Sequence, residues 1–261
     1  MAKHHLTHAS ELYFGEGNKT RSANGRPGVP FQPITKVSLG SPVTLDADGI
    51  VKAATSTELP DAAGTITYTT ATDGTSPLDA AIAVPSTVFL NGANVLVWVL
   101  DVPRNITATV THGSSVVAMT ITVSGYDQYG VPMSEALSIA ATGTSQTAAG
   151  LKAFKYVYSV AFTVAADATA NTANVGWGDV LGLPYKLPAL SDFFTNGTYF
   201  NEVMEATAPT VVAGVTTTAT TTTGDVRGTV DLNSAMDGSA VSVWYRTDPT
   251  SETTLFGVTQ A

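Results

Sequence analysis

Beyond about residue 86 the chain alternates apolar and polar positions with a period of two. Ile106, Ala108 and Val110 share one face, and Asn105, Thr107, Thr109 and Thr111 share the other. Val117, Met119, Ile121 and Val123 likewise alternate with Ala118, Thr120, Thr122 and Ser124. This pattern turns one face of a strand to a core and the other to water. The turn-forming run His112-Gly113-Ser114-Ser115 lies between the two stretches, so they are predicted to pair as a β-hairpin with one wet face. Asp127-Gln128-Tyr129-Gly130 predicts another turn, followed by a strand through Leu137 and Ile139. Tyr156, Tyr158, Val160, Phe162 and Val164 are expected on one face of a further strand. Val95 to Leu100 is apolar at every position, as for a strand covered on both faces. Val226, Val230 and Leu232, then Val241, Val243 and Tyr245, predict a C-terminal hairpin around Asp237-Gly238.

Short strands at such intervals, each closed by a turn signal, indicate a sandwich or barrel. No segment holds a helical period for three turns, and the best candidate for a short helix is Leu187 to Phe194. Val215 to Thr223 is nearly all Thr and would suit an edge strand or an extended wall. The fold class expected is all-β, a β-sandwich or jelly-roll-like body with an extended N-terminal arm. The boundaries read as 1–40 for the arm, 41–85 for a small β segment, and 86–261 for the main body with its C-terminal hairpin.

Composition agrees with sheets. Only 13% of the 261 residues are charged, against about 25% in ordinary soluble domains. Thr, Ser, Ala and Gly fill the difference, and Thr and Val fit a pleated, half-buried surface. The net charge is −9, which disfavours sequence-independent nucleic-acid binding. That charge is split. Residues 1–40 carry 5 basic and 2 acidic groups, +3, and residues 41–261 carry 7 basic and 19 acidic groups, −12. A basic arm on an acidic body follows. The arm holds many glycines and prolines, and so cannot fold alone. Its apolar anchors Leu12, Tyr13, Phe14, Val29, Phe31 and Ile34, with Lys3, Lys19, Arg21, Arg26 and Lys36, are the residues expected to dock a partner. No apolar h-region follows Met1, so no secretory leader is expected, and no apolar run approaches the ~20 residues of a membrane helix.

Catalytic chemistry finds little support. There are no cysteines, which removes thiolate nucleophiles and Cys-based metal sites. His4 and His8 stand four apart, but without helix signals or a carboxylate at metal spacing. His112 reads as a turn residue. Ser114 or Ser115 with His112 and Asp101 would make a hydrolase triad only on a strand–turn–helix elbow, which is missing. Nothing in the sequence pairs two of the many aspartates for glycoside cleavage. Asp46-Ala47-Asp48-Gly49 lacks the remaining ligands of a calcium loop. Gly176-Trp177-Gly178-Asp179 has the wrong spacing for a phosphate loop. Trp98 and Trp244 are expected in the core, and Trp177 against a strand corner.

Three segments carry a resemblance. They are Asp101-Val102-Pro103-Arg104-Asn105-Ile106, the run from Gly176 through Leu187, and Asp225-Val226-Arg227-Gly228-Thr229 followed by Met236-Asp237-Gly238. In this order, over roughly residues 86–247, the chain resembles structural proteins of tailed-bacteriophage virions. The resemblance implies a virion component without catalysis and without cofactors: a head decoration (cement) protein, a head fibre or a tail-associated protein. The charge split favours decoration. The partners expected are then the major capsid protein and further copies of the chain, as a homotrimer or other symmetric oligomer, with no nucleic acid and no membrane. The place expected is the outer capsid surface. The competing class is a carbohydrate- or cell-binding module, for which Tyr156 and Tyr158 could supply an aromatic platform.

Overall fold

The computed structural model describes residues 34–54, 59–70, 86–90, 92–168, 170–215 and 219–246. The fold is all-β. A curled antiparallel sheet forms a half-barrel, and a smaller sheet packs against part of it. In chain order the strands are β1 (Ile34–Gly40), β2 (Asp46–Ala54), β3 (Gly64–Thr69), β4 (Ser86–Leu90), β5 (Ala93–His112), β6 (Met119–Tyr126) and β7 (Pro132–Ile139). They continue as β8 (Ser145–Val164), β9 (Asn171–Gly182), β10 (Phe193–Phe200), β11 (Val203–Met204), β12 (Thr210–Ala213), β13 (Gly228–Asp231) and β14 (Val241–Arg246). The large sheet runs β12-β13-β9-β5-β8-β6-β7, with β2 on β9, β3 on β8 and β4 on β5, and the four-stranded sheet runs β1-β14-β10-β11.

Two cores follow from this arrangement. The half-barrel encloses Ile106, Ala108 and Val110 of β5 with Ile121 and Val123 of β6, Leu137 of β7, Val160 and Phe162 of β8, and Val175 of β9. Val37, Leu39, Val241, Val243 and Tyr245 of the small sheet meet Val102, Leu181 and Val230 of the large one in the second core. The wet face explains the threonine content. Thr109 and Thr147, Thr111 and Thr172, and Thr65 and Thr163 are direct cross-strand neighbours whose hydroxyls lie 2.9, 2.5 and 2.8 Å apart. Such pairs stabilise a sheet while keeping charge off its surface.

Several expectations are corrected. β5 and β6 alternate as predicted but do not pair, because β8 lies between them. After the His112 turn, the Val116 N–H bonds to the Gly143 carbonyl and the Val117 N–H to Asn171 Oδ1, so the chain leaves β5 at once. The true hairpin is β6–β7, closed at Asp127–Gly130. The C-terminal hairpin also dissolves. β13 joins the large sheet and β14 the small one, and the chain between them crosses from one sheet to the other. Leu187 to Phe194 holds one 3₁₀ turn, Leu190–Asp192, before β10 begins. The Leu187 N–H donates to Arg227 and its carbonyl accepts from Gly214, so no helical partner remains for either group. Among the described residues of the Thr-rich stretch, Thr220 to Thr223 close a turn, and the Thr221 carbonyl accepts from Ala136 of β7.

The arm and the small β segment also change. Ile34–Gly40, read as the end of the arm, form β1 and pair with β14 from Ile34↔Arg246 to Gly40↔Val241. Residues 1–33 lie outside the described residues. The described parts of 41–85 add β2 and β3 to the large sheet. In β4–β5, Val97, Trp98 and Leu100 are buried, but Val99 is 37% exposed, so the apolar run is covered on both faces over only part of its length. Trp98 is core as expected, whereas Trp244 faces outward, half-buried.

Candidate functional site: a buried ionic seam

The three resemblance segments converge where β5 is bulged. Its register shifts between Val99 and Arg104 against β8, between Asn105 and Thr107 against β8, and between Arg104 and Ile106 against β9. A bulge leaves ladder groups without strand partners. Side chains supply the missing partners. Asn105 Nδ2 donates to the Gly150 carbonyl at 3.3 Å, and Asn105 Oδ1 accepts from the Val180 N–H at 3.2 Å. Arg104 is fully buried. Its Nε donates to the Gly178 carbonyl at 2.7 Å, and its guanidinium reaches the Val43 carbonyl, Asp101 and Asp179. Burial raises the Asp179 carboxyl above its ordinary range, and the Arg104 charge opposes that rise.

A second group of charges holds the bulge in β8. Glu135 of β7 accepts the Leu151 N–H at 2.5 Å and the Lys152 N–H at 3.4 Å. Asp225 accepts from Ala153 at 3.2 Å and from Arg227 at 2.8 Å through their backbone N–H groups. Arg227 pairs with Asp127, whose other oxygen accepts from the Tyr129 and Val131 N–H groups that shape the β6–β7 turn. The Arg227 guanidinium also lies 4.9 Å from the Tyr129 ring centre. Lys152 is buried and donates to the Ser134 carbonyl at 3.0 Å. Desolvation dominates the titration here. It pushes Glu135 up to about 7, against the pull of its two backbone N–H donors and Lys152, and it lowers Lys152.

The glycines of these segments are set by close approach. A Cβ on Gly176 would collide with the Asp46 carbonyl oxygen, and one on Gly178 would lie 2.6 Å from Asn105 Oδ1. Gly228 adopts φ +96°, which favours glycine. The arrangement binds backbone. Every carboxylate named accepts at least one N–H or guanidinium, and a seam of this kind fixes strands and turns relative to one another.

Of the other sequence candidates, Ser114 and Ser115 meet His112, with Ser114 Oγ 3.2 Å from His112 Nδ1, while Asp101 stands apart. His112 Nδ1 accepts the N–H groups of Ser114 and Ser115, both at 2.9 Å, and so shapes its turn. Asp101 lies elsewhere on β5, where it accepts from Arg104 and the Val43 N–H, so it does not complete a triad with His112. Among the described residues no group of three His, Asp or Glu is placed to hold a metal. No described helix is long and apolar enough to cross a membrane. Of the expected docking residues, Lys3, Leu12, Tyr13, Phe14, Lys19, Arg21, Arg26, Val29 and Phe31 lie outside the described residues. Ile34 and Lys36 sit on β1, where Lys36 is exposed opposite Trp244.

No family model, curated protein or solved structure matches the chain.

The tyrosines differ from the expectation. The register shift between Ser124 and Gly125 places Val157 in the core and turns Tyr156 and Tyr158 to the outer face. There Tyr156 is the cross-strand neighbour of Tyr126, and the Tyr126 and Tyr158 rings lie 5.6 Å apart. The row continues through exposed Val99 and Pro132 on the flanking strands. A shifted register cannot be read from alternation alone, so this outer face was legible only as a list of tyrosines.

Proposed function

We propose that the protein is a non-enzymatic structural protein of a bacteriophage particle, bound to the outer capsid surface and to neighbouring subunits, where it stabilises the head. One observation carries the reading. The segments that resemble phage virion proteins supply Arg104, Asn105, Asp179, Asp225 and Arg227 to the buried seam, beside Asp127, Glu135 and Lys152 from elsewhere in the chain, so the resemblance concerns an architectural element. Asp101, Asp127, Glu135 and Asp225 each accept a backbone N–H, which supports a holding role over catalysis. The basic segment upstream of β1 supports attachment. It enters the fold through a strand paired along its length with β14, so a pull on a docked arm would load the β1–β14 ladder in shear.

The test is co-sedimentation with empty phage shells that lack the protein. The full chain is expected to bind, and a chain without residues 1–33, which keeps β1, is expected to lose binding. Full binding by the truncated chain would remove the docking arm. A second reading, a head-fibre or tail-associated protein with a carbohydrate or cell-surface role, is favoured by the outward Tyr126, Tyr156 and Tyr158. It predicts a glycan-array signal that disappears in the Y126A/Y158A variant.

A further inference from the structure

The small sheet has an outer face of unusual composition for this chain. On β14, Val241, Val243 and Tyr245 point into the core, which leaves Ser242, Trp244 and Arg246 outward. On β1, Val37 and Leu39 are buried, and Lys36 and Ser38 face out. The register sets Lys36 beside Trp244. The Lys36 ammonium lies 5.7 Å from the centre of the Tyr199 ring, and the Arg246 guanidinium 5.6 Å from that of Phe194. Met204, the neighbour of Tyr199, is 52% exposed. One carboxylate, Asp192, stands 3.9 Å from Arg246.

Among residues whose exposure is described, Lys36 and Arg246 are the exposed cations. Arg104, Lys152 and Arg227 are buried, and Lys155 and Lys186 are partly so. Both exposed cations therefore sit on one face. The chain from residue 34 onward carries 8 basic against 19 acidic groups, −11, and residues 1–33 carry 4 against 2, +2. That basic stretch joins the fold at Ile34, opposite Arg246. Aromatic and Arg side chains with few acidic neighbours are also the usual make-up of an interface centre.

We infer that this face, centred on Lys36, Trp244 and Arg246, docks onto the acidic body of a second copy of the chain. The contact is head-to-tail, basic face on acidic surface. Repeated, a head-to-tail contact builds a ring where its rotation closes and a filament where it does not. Net charge of one sign repels copies at long range, but screening over about 8 Å in physiological salt leaves contact to local complementarity. The inference rests on the neighbour-binding part of the proposed function, for which it names the surface, and it needs no shell.

Sedimentation velocity over a range of concentrations tests it, with the full-length chain, the K36E/R246E variant and the milder K36S/R246S variant. The native chain is expected to associate. Charge reversal should weaken association at least about tenfold, roughly 1.4 kcal/mol, and the serine variant should fall between. Circular dichroism and a thermal melt confirm that both variants stay folded. A native chain that remains monomeric, or variants that associate as well as it does, would overturn the inference. So would variants that keep their association but lose shell binding, since the face would then belong to the shell.

Discussion

A methyl group at position 176 has no space to occupy. The Asp46 carbonyl oxygen and the Ala47 backbone already lie there, and backbone cannot swing aside as a side chain can. Gly176→Ala is therefore expected to cost about 3 kcal/mol in urea unfolding, whereas Gly113→Ala, with open space around it, should stay within about 0.5 kcal/mol. Asp127 does two jobs at once, pairing with Arg227 and accepting the N–H groups of Tyr129 and Val131. Asp127→Ala strands a buried guanidinium and is expected to cost about 3–5 kcal/mol by the same measurement. Glu135 gives the seam a pH dependence. Its carboxyl titrates near 7 in the folded chain, against 4.5 when exposed, because burial disfavours its charge. Between those values the folded state holds the proton more tightly than the unfolded state. Stability should therefore fall as pH rises from about 4.5 through about 7, by on the order of 2 kcal/mol. Lys152 and Asp225 face the same group and are present in both arms of the comparison. Urea midpoints at pH 5 and pH 8 measure the slope, and E135Q should flatten it. An equal slope in E135Q would place the titration elsewhere.

At the scale of elements, the sequence announced strands and faces but not neighbours. Ile106, Ala108 and Val110 lie in the core as their alternation required, and so do Met119, Ile121 and Val123. Alternation says which side of a strand is dry; it does not say what lies beside the strand. β8, about 35 residues further on than β5, came between β5 and β6 without changing the pattern of either. The same blindness joined β13 to β14 in the reading, although each is buried in a different sheet. Bulges escaped for a related reason. One extra residue after Tyr156 turns two tyrosines outward, and only the pairing with β6 reveals it. Of the seam, the sequence showed the segments and none of their meeting, because Arg104 and Gly178 stand 74 positions apart. β1 supplies a prediction at this scale. Removing residues 1–33 leaves the β1–β14 ladder whole, whereas removing 1–40 strips it and bares the core around Val243 and Tyr245. The shorter deletion should melt within about 2 °C of the full chain, and the longer one should melt at least about 5 °C lower. Equal melting points would mean that β1 adds nothing to the body.

At the scale of the whole molecule, charge and sheet architecture point the same way. The surface pairs threonines across strands, the interior holds its charged groups in the seam, and among residues whose exposure is described the exposed cations, Lys36 and Arg246, share the small sheet. A chain built this way holds its own strands and turns together through buried charged groups. The particle role proposed above rests on the sequence resemblance and on this construction together. The measurement that tests that role most directly is electron microscopy of empty phage shells lacking the protein after mixing with the purified full-length chain. Regular, symmetric density on the outer surface is the predicted result. Bare shells in the presence of folded protein would contradict the assignment.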